Sequence, residues 1–132
     1  MSQSINWWAV GAAVVLNFVI GGLWYSPPVF FKPWLRMAGV TPAVFNAGLA
    51  RALIADLLAS CAMAGVLLYI LRAAGAVALG QGLEIAFLVW LGFIASVLVT
   101  SVTYEHRPVA FYAINASYRL ISILGMGAIL TL

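Results

Sequence analysis

An aspartate and an arginine, Asp56 and Arg119, stand inside apolar stretches of membrane length. A carboxylate and a guanidinium at such depth can fix helix register, seat an ion or hold a charged ligand. Asn17, Ser96 and Asn115 also interrupt apolar stretches. These five residues form a candidate ligand-binding or intramembrane polar cluster.

The two charges differ in what they can tolerate. An unpaired aspartate in hydrocarbon takes up a proton. An arginine does not shed its charge so easily, and placing it there costs several kcal/mol or more. Arg119 is therefore expected to meet Asp56, directly or through Asn115, water or an anionic ligand. Arg51 is the poorer local partner. Its five-residue offset turns it around the helix, and it can snorkel to headgroups.

Four stretches are long enough to span a bilayer, which needs about 20 residues. They run over about 5–25, 42–74, 82–104 and 108–131. Pro27-Pro28 stops the first. Thr41 and Pro42 suit the N-cap and first turn of the second, and Gly75 suits its far end. The second exceeds a bilayer's thickness, so its first two turns are expected in the interface. Short turns at 76–81 and 105–107 predict antiparallel neighbours.

Counted from the span ends at about 1.5 Å per residue, Asp56, Asn115, Asn17, Ser96 and Arg119 lie roughly 8 to 16 Å deep in one half of the bilayer. Small residues every four positions allow close helix approach. Gly48, Ala52, Asp56, Ser60 and Ala64 make one such face, and Gly92, Ser96, Thr100 and Tyr104 another. With Asn115, Tyr118, Arg119 and Ser122 of the fourth span, these faces are expected to turn inward.

Residues 29–38 lie between the first two spans. Lys32 and Arg36 share a helical face there, with Phe30, Phe31, Trp34 and Leu35 on the others. This is expected to be a short interfacial helix, an ordered aromatic loop being the alternative because of Pro33. Trp24, Tyr25, Lys32, Trp34 and Arg36 are the expected membrane-interface residues. Lys32, Arg36, Arg51 and Arg107 fall on one side of the membrane and Arg72 on the other. The positive-inside rule makes the first side cytoplasmic and puts both termini outside.

Composition removes several function classes. Hydrophobic residues make up 66% of the 132 residues and charged residues 7%, with a mean hydropathy of +1.15. A soluble domain could not hide that much apolar surface. The six basic residues are scattered along the chain and not gathered in a stripe, which argues against nucleic acid and favours anionic lipid headgroups. Cys61 is the lone cysteine and His106 the lone histidine, too few for a metal site or haem, so no cofactor is expected. The first stretch lacks a basic leader and a small-residue cleavage site, so it is expected to be retained, with no other targeting segment. Gly125 and Gly127 read as close packing in an apolar context. No nucleophile stands beside a base, so no enzyme is expected.

Trp24-Tyr25-Ser26-Pro27, then Phe30-Phe31, Trp34 and Gly39, resembles the N-terminal signature of a bacterial membrane family, domain of unknown function 1761. Arg107-Pro108, Tyr112, Ile114-Asn115, Tyr118-Arg119 and Met126-Gly127 resemble its C-terminal part. The resemblance covers most of the chain. It implies a small four-helix membrane protein with Asn115 at a motif position, and no particular activity.

The expectation is an all-α, integral membrane four-helix bundle in one domain, with an interfacial segment after the first span. It would lie multi-pass in the cell inner (cytoplasmic) membrane. Its expected role is to bind or move a small ligand, ion or lipid at the polar layer. The alternative is a structural or accessory subunit of a larger membrane complex. Transport would require a homo-oligomer, because four helices leave little room for a water-filled path. A reporter fused to the C-terminus should be active only outside the cytoplasm; activity in the cytoplasm would reverse the topology.

Overall fold

The computed structural model describes residues 6–131, so Ile5, the expected start of the first span, lies outside the described residues, as does Leu132. The helices are α1 (Trp7–Trp24), α2 (Phe31–Ala38), α3 (Pro42–Ala47), α4 (Leu49–Ala73), α5 (Leu79–Thr103) and α6 (Val109–Thr131). There is no strand among the described residues. Helices α1, α4, α5 and α6 are each long and apolar enough to cross a membrane. The fold is an all-α helical bundle.

Local chemistry sets the helix ends. The Asn6 side chain accepts from the backbone N–H of Ala9, starting α1. Thr41 does the same for Val44, with Pro42 behind it in the first turn of α3. Gln81 reaches back to accept from the N–H groups of Val77 and Ala78, which places the start of α5 three residues before the expected Gly82. At the end of α4, Gly75 takes φ +70° and donates to Arg72 O, while Ala76 donates to Leu71 O. That is a Schellman cap, which favours glycine because of its left-handed backbone.

The expected 42–74 helix is broken. Gly48 ends α3 and starts α4, with Ala52 N–H already bonded to its carbonyl. Glycine costs about 1 kcal/mol in a helix interior, so a bend is easily accommodated there. The bend lets Phe45 of α3 meet Phe31 and Trp34 of α2, ring centroids 5.1 and 6.1 Å apart. Residues 31–38 form a helix and not a loop. Pro33 lies in its first turn, where an N–H has no intrahelical partner to lose.

Helix α6 is the centre. Of its apolar window 39% is buried, against 17% for each of the other three spans. It packs extensively on α1 and on α5, while α4 leans mainly on α1. The short connection, residues 74–78, therefore joins α4 and α5 without making them close neighbours along their length. Two glycines explain the central position. Residues two apart on a helix point roughly 200° apart. Gly125 receives Leu16 of α1, and Gly127 meets Gly82 and Ala86 of α5. A Cβ at Gly127 would lie 2.9 Å from both the Ala86 Cβ and the Gly82 carbonyl.

Away from α2 the helices close on a core of Ala13, Val14, Ala64, Leu67, Leu71, Ala86, Ile123 and Met126. Beside that core sits Asn17, fully buried. Its Nδ2 donates to Ser60 Oγ of α4 at 2.5 Å. Its Oδ1 accepts from Tyr118 Oη at 3.1 Å and from Ser122 Oγ, both on α6. One amide thus ties α1 to two other helices.

Replacing Asn17 by leucine should lower stability by about 1–3 kcal/mol, because buried hydroxyls on α4 and α6 lose their partner. Gly127→Val should also destabilise, by forcing α5 from α6. Thermal or SDS unfolding in detergent measures both; wild-type stability in either variant would contradict this packing.

Candidate functional site

The polar hub and the groove lie one turn apart along α1 and α4. At Asn17 and Ser60, α1 and α4 touch. One turn toward α2, α1 presents Gly21 and α4 presents Asp56; another turn on, Tyr25 and Ala52. Glycine and alanine there leave a groove of about 440 Å³. Gly21 serves the neighbouring contact as well. A Cβ on it would stand 3.0 Å from Tyr118 Oη, the group that reaches Asn17.

The groove wall comes from five elements. Phe18, Gly21, Gly22 and Tyr25 belong to the α1 side; Leu49, Ala52, Leu53 and Asp56 to α4. Phe31 and Trp34 of α2 with Phe45 of α3 cover one end, and Tyr118 and Arg119 of α6 form the back. The lining is chiefly apolar and aromatic, with one charge of each sign.

Arg119 Nη2 lies 3.9 Å from Asp56 Oδ1, and both side chains are about one third exposed, 31% and 33%. The guanidinium also sits over the Tyr118 ring, 4.8 Å from its centroid. The expected Asp56–Arg119 meeting is therefore direct but long. A well-formed charge-assisted N–H···O bond is about 2.7–2.9 Å. Most of the donors of the arginine and the lone pairs of the carboxylate stay open to the groove.

The other expected site residues are placed differently. Asn17 is in the bundle interior, part of the hub and not of the groove wall. Asn115 is half-buried and accepts from Tyr25 Oη at 2.6 Å, so it bridges α1 and α6 and does not mediate the ion pair. Ser96 does not join the cluster. It is exposed, and its hydroxyl donates to Gly92 O of its own helix at 2.6 Å. The expected inward face Gly92, Ser96, Thr100 and Tyr104 points outward. Helix α5 buries Gly82, Ala86, Ala95 and Ser101 instead, because its close seat on α6 is made by the small residues near its start. A π turn at Trp90–Ala95 accompanies this seating, with Trp90 Nε1 donating to Ala116 O at 2.8 Å.

Of the expected interface residues, Lys32 and Arg36 are exposed on α2. Trp24, Tyr25 and Trp34 hold the groove's scaffold. Trp24 Nε1 donates to Ile114 O at 3.1 Å. The Tyr25 ring packs edge-on against Trp34 and Tyr118, and Trp34 stacks on Phe111 of α6. Arg107 Nη1 donates to Met37 O at 2.9 Å and so ties the end of α2 to the start of α6.

Ser60, Tyr118 and Ser122 were legible as inward-facing, but not as partners of Asn17. Their four-residue spacing, 118 to 122, was the available signal. Phe18 and Phe45 gave none, since one phenylalanine in an apolar run looks like any other.

Four spans around a buried amide hub, with a charged groove at one end, define a small multi-pass helical membrane protein. The family described as protein of unknown function (DUF1761) matches residues 8–131, and the chain belongs to it. No curated protein and no solved structure shows significant similarity to it.

Proposed function

We propose that this protein binds an amphipathic small molecule in the groove between α1 and α4, with its polar group at Asp56 and Arg119. The observation that carries this reading is the pair itself. Two opposite charges, under-bonded and one third exposed, share an apolar-walled cavity of about 440 Å³. A cavity of that size with few convergent polar groups is the ordinary form of a ligand site. A clamp serving only to fix helix register would bring the charges into closer, better-satisfied contact, as Asn17 does with its hydroxyls.

The setting favours ligands that partition into membranes. Phe18, Leu49 and Leu53 continue the wall from the charged pair along the groove. The inner membrane, with the groove toward the cytoplasm, is part of the proposal, on the strength of the Lys and Arg distribution. The alternative, an accessory subunit or homo-oligomer, rests on outward apolar side chains such as Phe93 and Val97. Hydrocarbon satisfies those equally well.

Gly22 offers a clean test. It lines the groove, and a Cβ there meets nothing within 4 Å. Gly22→Leu should keep fold and stability while filling the site. In native mass spectrometry of gently extracted protein, a reproducible small mass should accompany the wild type. It should be lost in Gly22→Leu and weakened in Arg119→Gln. The same small mass persisting in a folded Gly22→Leu protein would contradict this reading.

A further inference from the structure

We propose that the occupant of this groove is a zwitterionic lipid from the bilayer, with its ammonium on Asp56 and its phosphate on Arg119. The inference rests on the groove being a binding site and adds the class of ligand.

Charge complementarity carries it. Asp56 and Arg119 face the same cavity with 3.9 Å between the nearest charged atoms. A headgroup bearing only negative charge would gain Arg119 but bring its anion close to the Asp56 carboxylate. A purely cationic group would meet the reverse penalty at Arg119. Inside apolar walls neither repulsion is well screened. A headgroup with both signs a few ångströms apart satisfies both residues at once.

Bonding capacity points the same way. An ionised aspartate only accepts, and a primary ammonium only donates, up to three bonds. Arginine presents a planar fork of donors suited to phosphate oxygens. Asp56 and Arg119 have no hydrogen-bond partner among the described residues; their only polar contacts are each other and, for Arg119, the Tyr118 ring. Each can therefore take a ligand group without surrendering a stronger partner.

The lipid's apolar part has a matching course. Leu49 and Leu53 of α4 line the groove and are themselves exposed, so the groove is open along the α4 side. An acyl chain can leave by that side while its headgroup remains under α2 and α3. A bilayer lipid can thus enter sideways.

The test is a competition between dioleoyl phosphatidylethanolamine and dioleoyl phosphatidylglycerol in mixed nanodiscs, read by native mass spectrometry of lipid retained on the released protein. Wild type should retain phosphatidylethanolamine about tenfold over phosphatidylglycerol, the scale of one well-placed charge interaction. Asp56→Asn, nearly the same shape without the charge, should abolish or reverse that preference. Equal retention of both lipids by the wild type would overturn the proposal. So would an unchanged preference in Asp56→Asn. The wild-type comparison stands even if that variant fails to fold. Gly22→Leu separates this claim from the one beneath it. If it removes the retained lipid while wild type shows no headgroup preference, the groove binds lipid but the zwitterionic assignment fails. If retained lipid is unaffected by it, the groove reading itself fails.

Discussion

A polar group removed from water must find its partners inside the protein, and in hydrocarbon there is no alternative supply. Asn17 meets that constraint with a single amide. It donates to α4 and accepts twice from α6, so three of the four spans are fixed at one level. Apolar packing alone gives little preference for one helix arrangement over another in lipid, because lipid tails are as apolar as leucine. The amide supplies the directionality that packing lacks. Its neighbours are chosen to suit it: Gly21 leaves space for the Tyr118 hydroxyl, and Ala13, Ala64 and Met126 close the core beside it.

The groove follows from that fixed point. Toward α2 from Asn17, the small side chains of Gly21 and Ala52 leave the groove between α1 and α4. The aromatic residues of α2 and α3 roof the gap without filling it. Trp34 stacks on α6, Phe45 packs on Trp34, and Arg107 ties Met37 to the start of α6. Asp56 is one turn from Ser60, and Arg119 follows Tyr118, so the hub also determines where the two charges face. A fully satisfied network and an under-satisfied ion pair therefore stand next to each other. The first is what a structural element in lipid looks like. The second has the open bonding capacity of a site.

Much of this was legible in the sequence because the bilayer imposes strong rules. Length and hydropathy located the four spans, and Thr41-Pro42 marked the start of α3 and Gly75 the end of α4 by cap chemistry that is local. The Asp56–Arg119 meeting was also accessible, since two opposite charges in hydrocarbon have few other options. What escaped depended on rotation and register. Ser96 bonded to its own Gly92 carbonyl needs no neighbour, so its spacing carried no information about facing. The bend at Gly48 came from α3 turning toward the aromatic rings of α2, a tertiary cause. Trp24, Tyr25 and Trp34 have the composition of an interfacial belt, and their part in holding α1 and α2 to α6 could not be read from that composition. The Trp24 indole and the Tyr25 phenol were satisfied by the Ile114 carbonyl and Asn115, which no periodicity shows.

The most direct test of the account is photo-crosslinking in native-like bilayers with a phosphatidylethanolamine bearing a diazirine near its headgroup, the labelled residues being mapped by mass spectrometry. Crosslinks concentrated on the groove wall, at residues such as Phe18, Trp34, Leu49 and Leu53, are the predicted result. Labels spread evenly over the outward faces, with Phe93 and Val97 marked as often as the groove, would show that lipid only surrounds this protein.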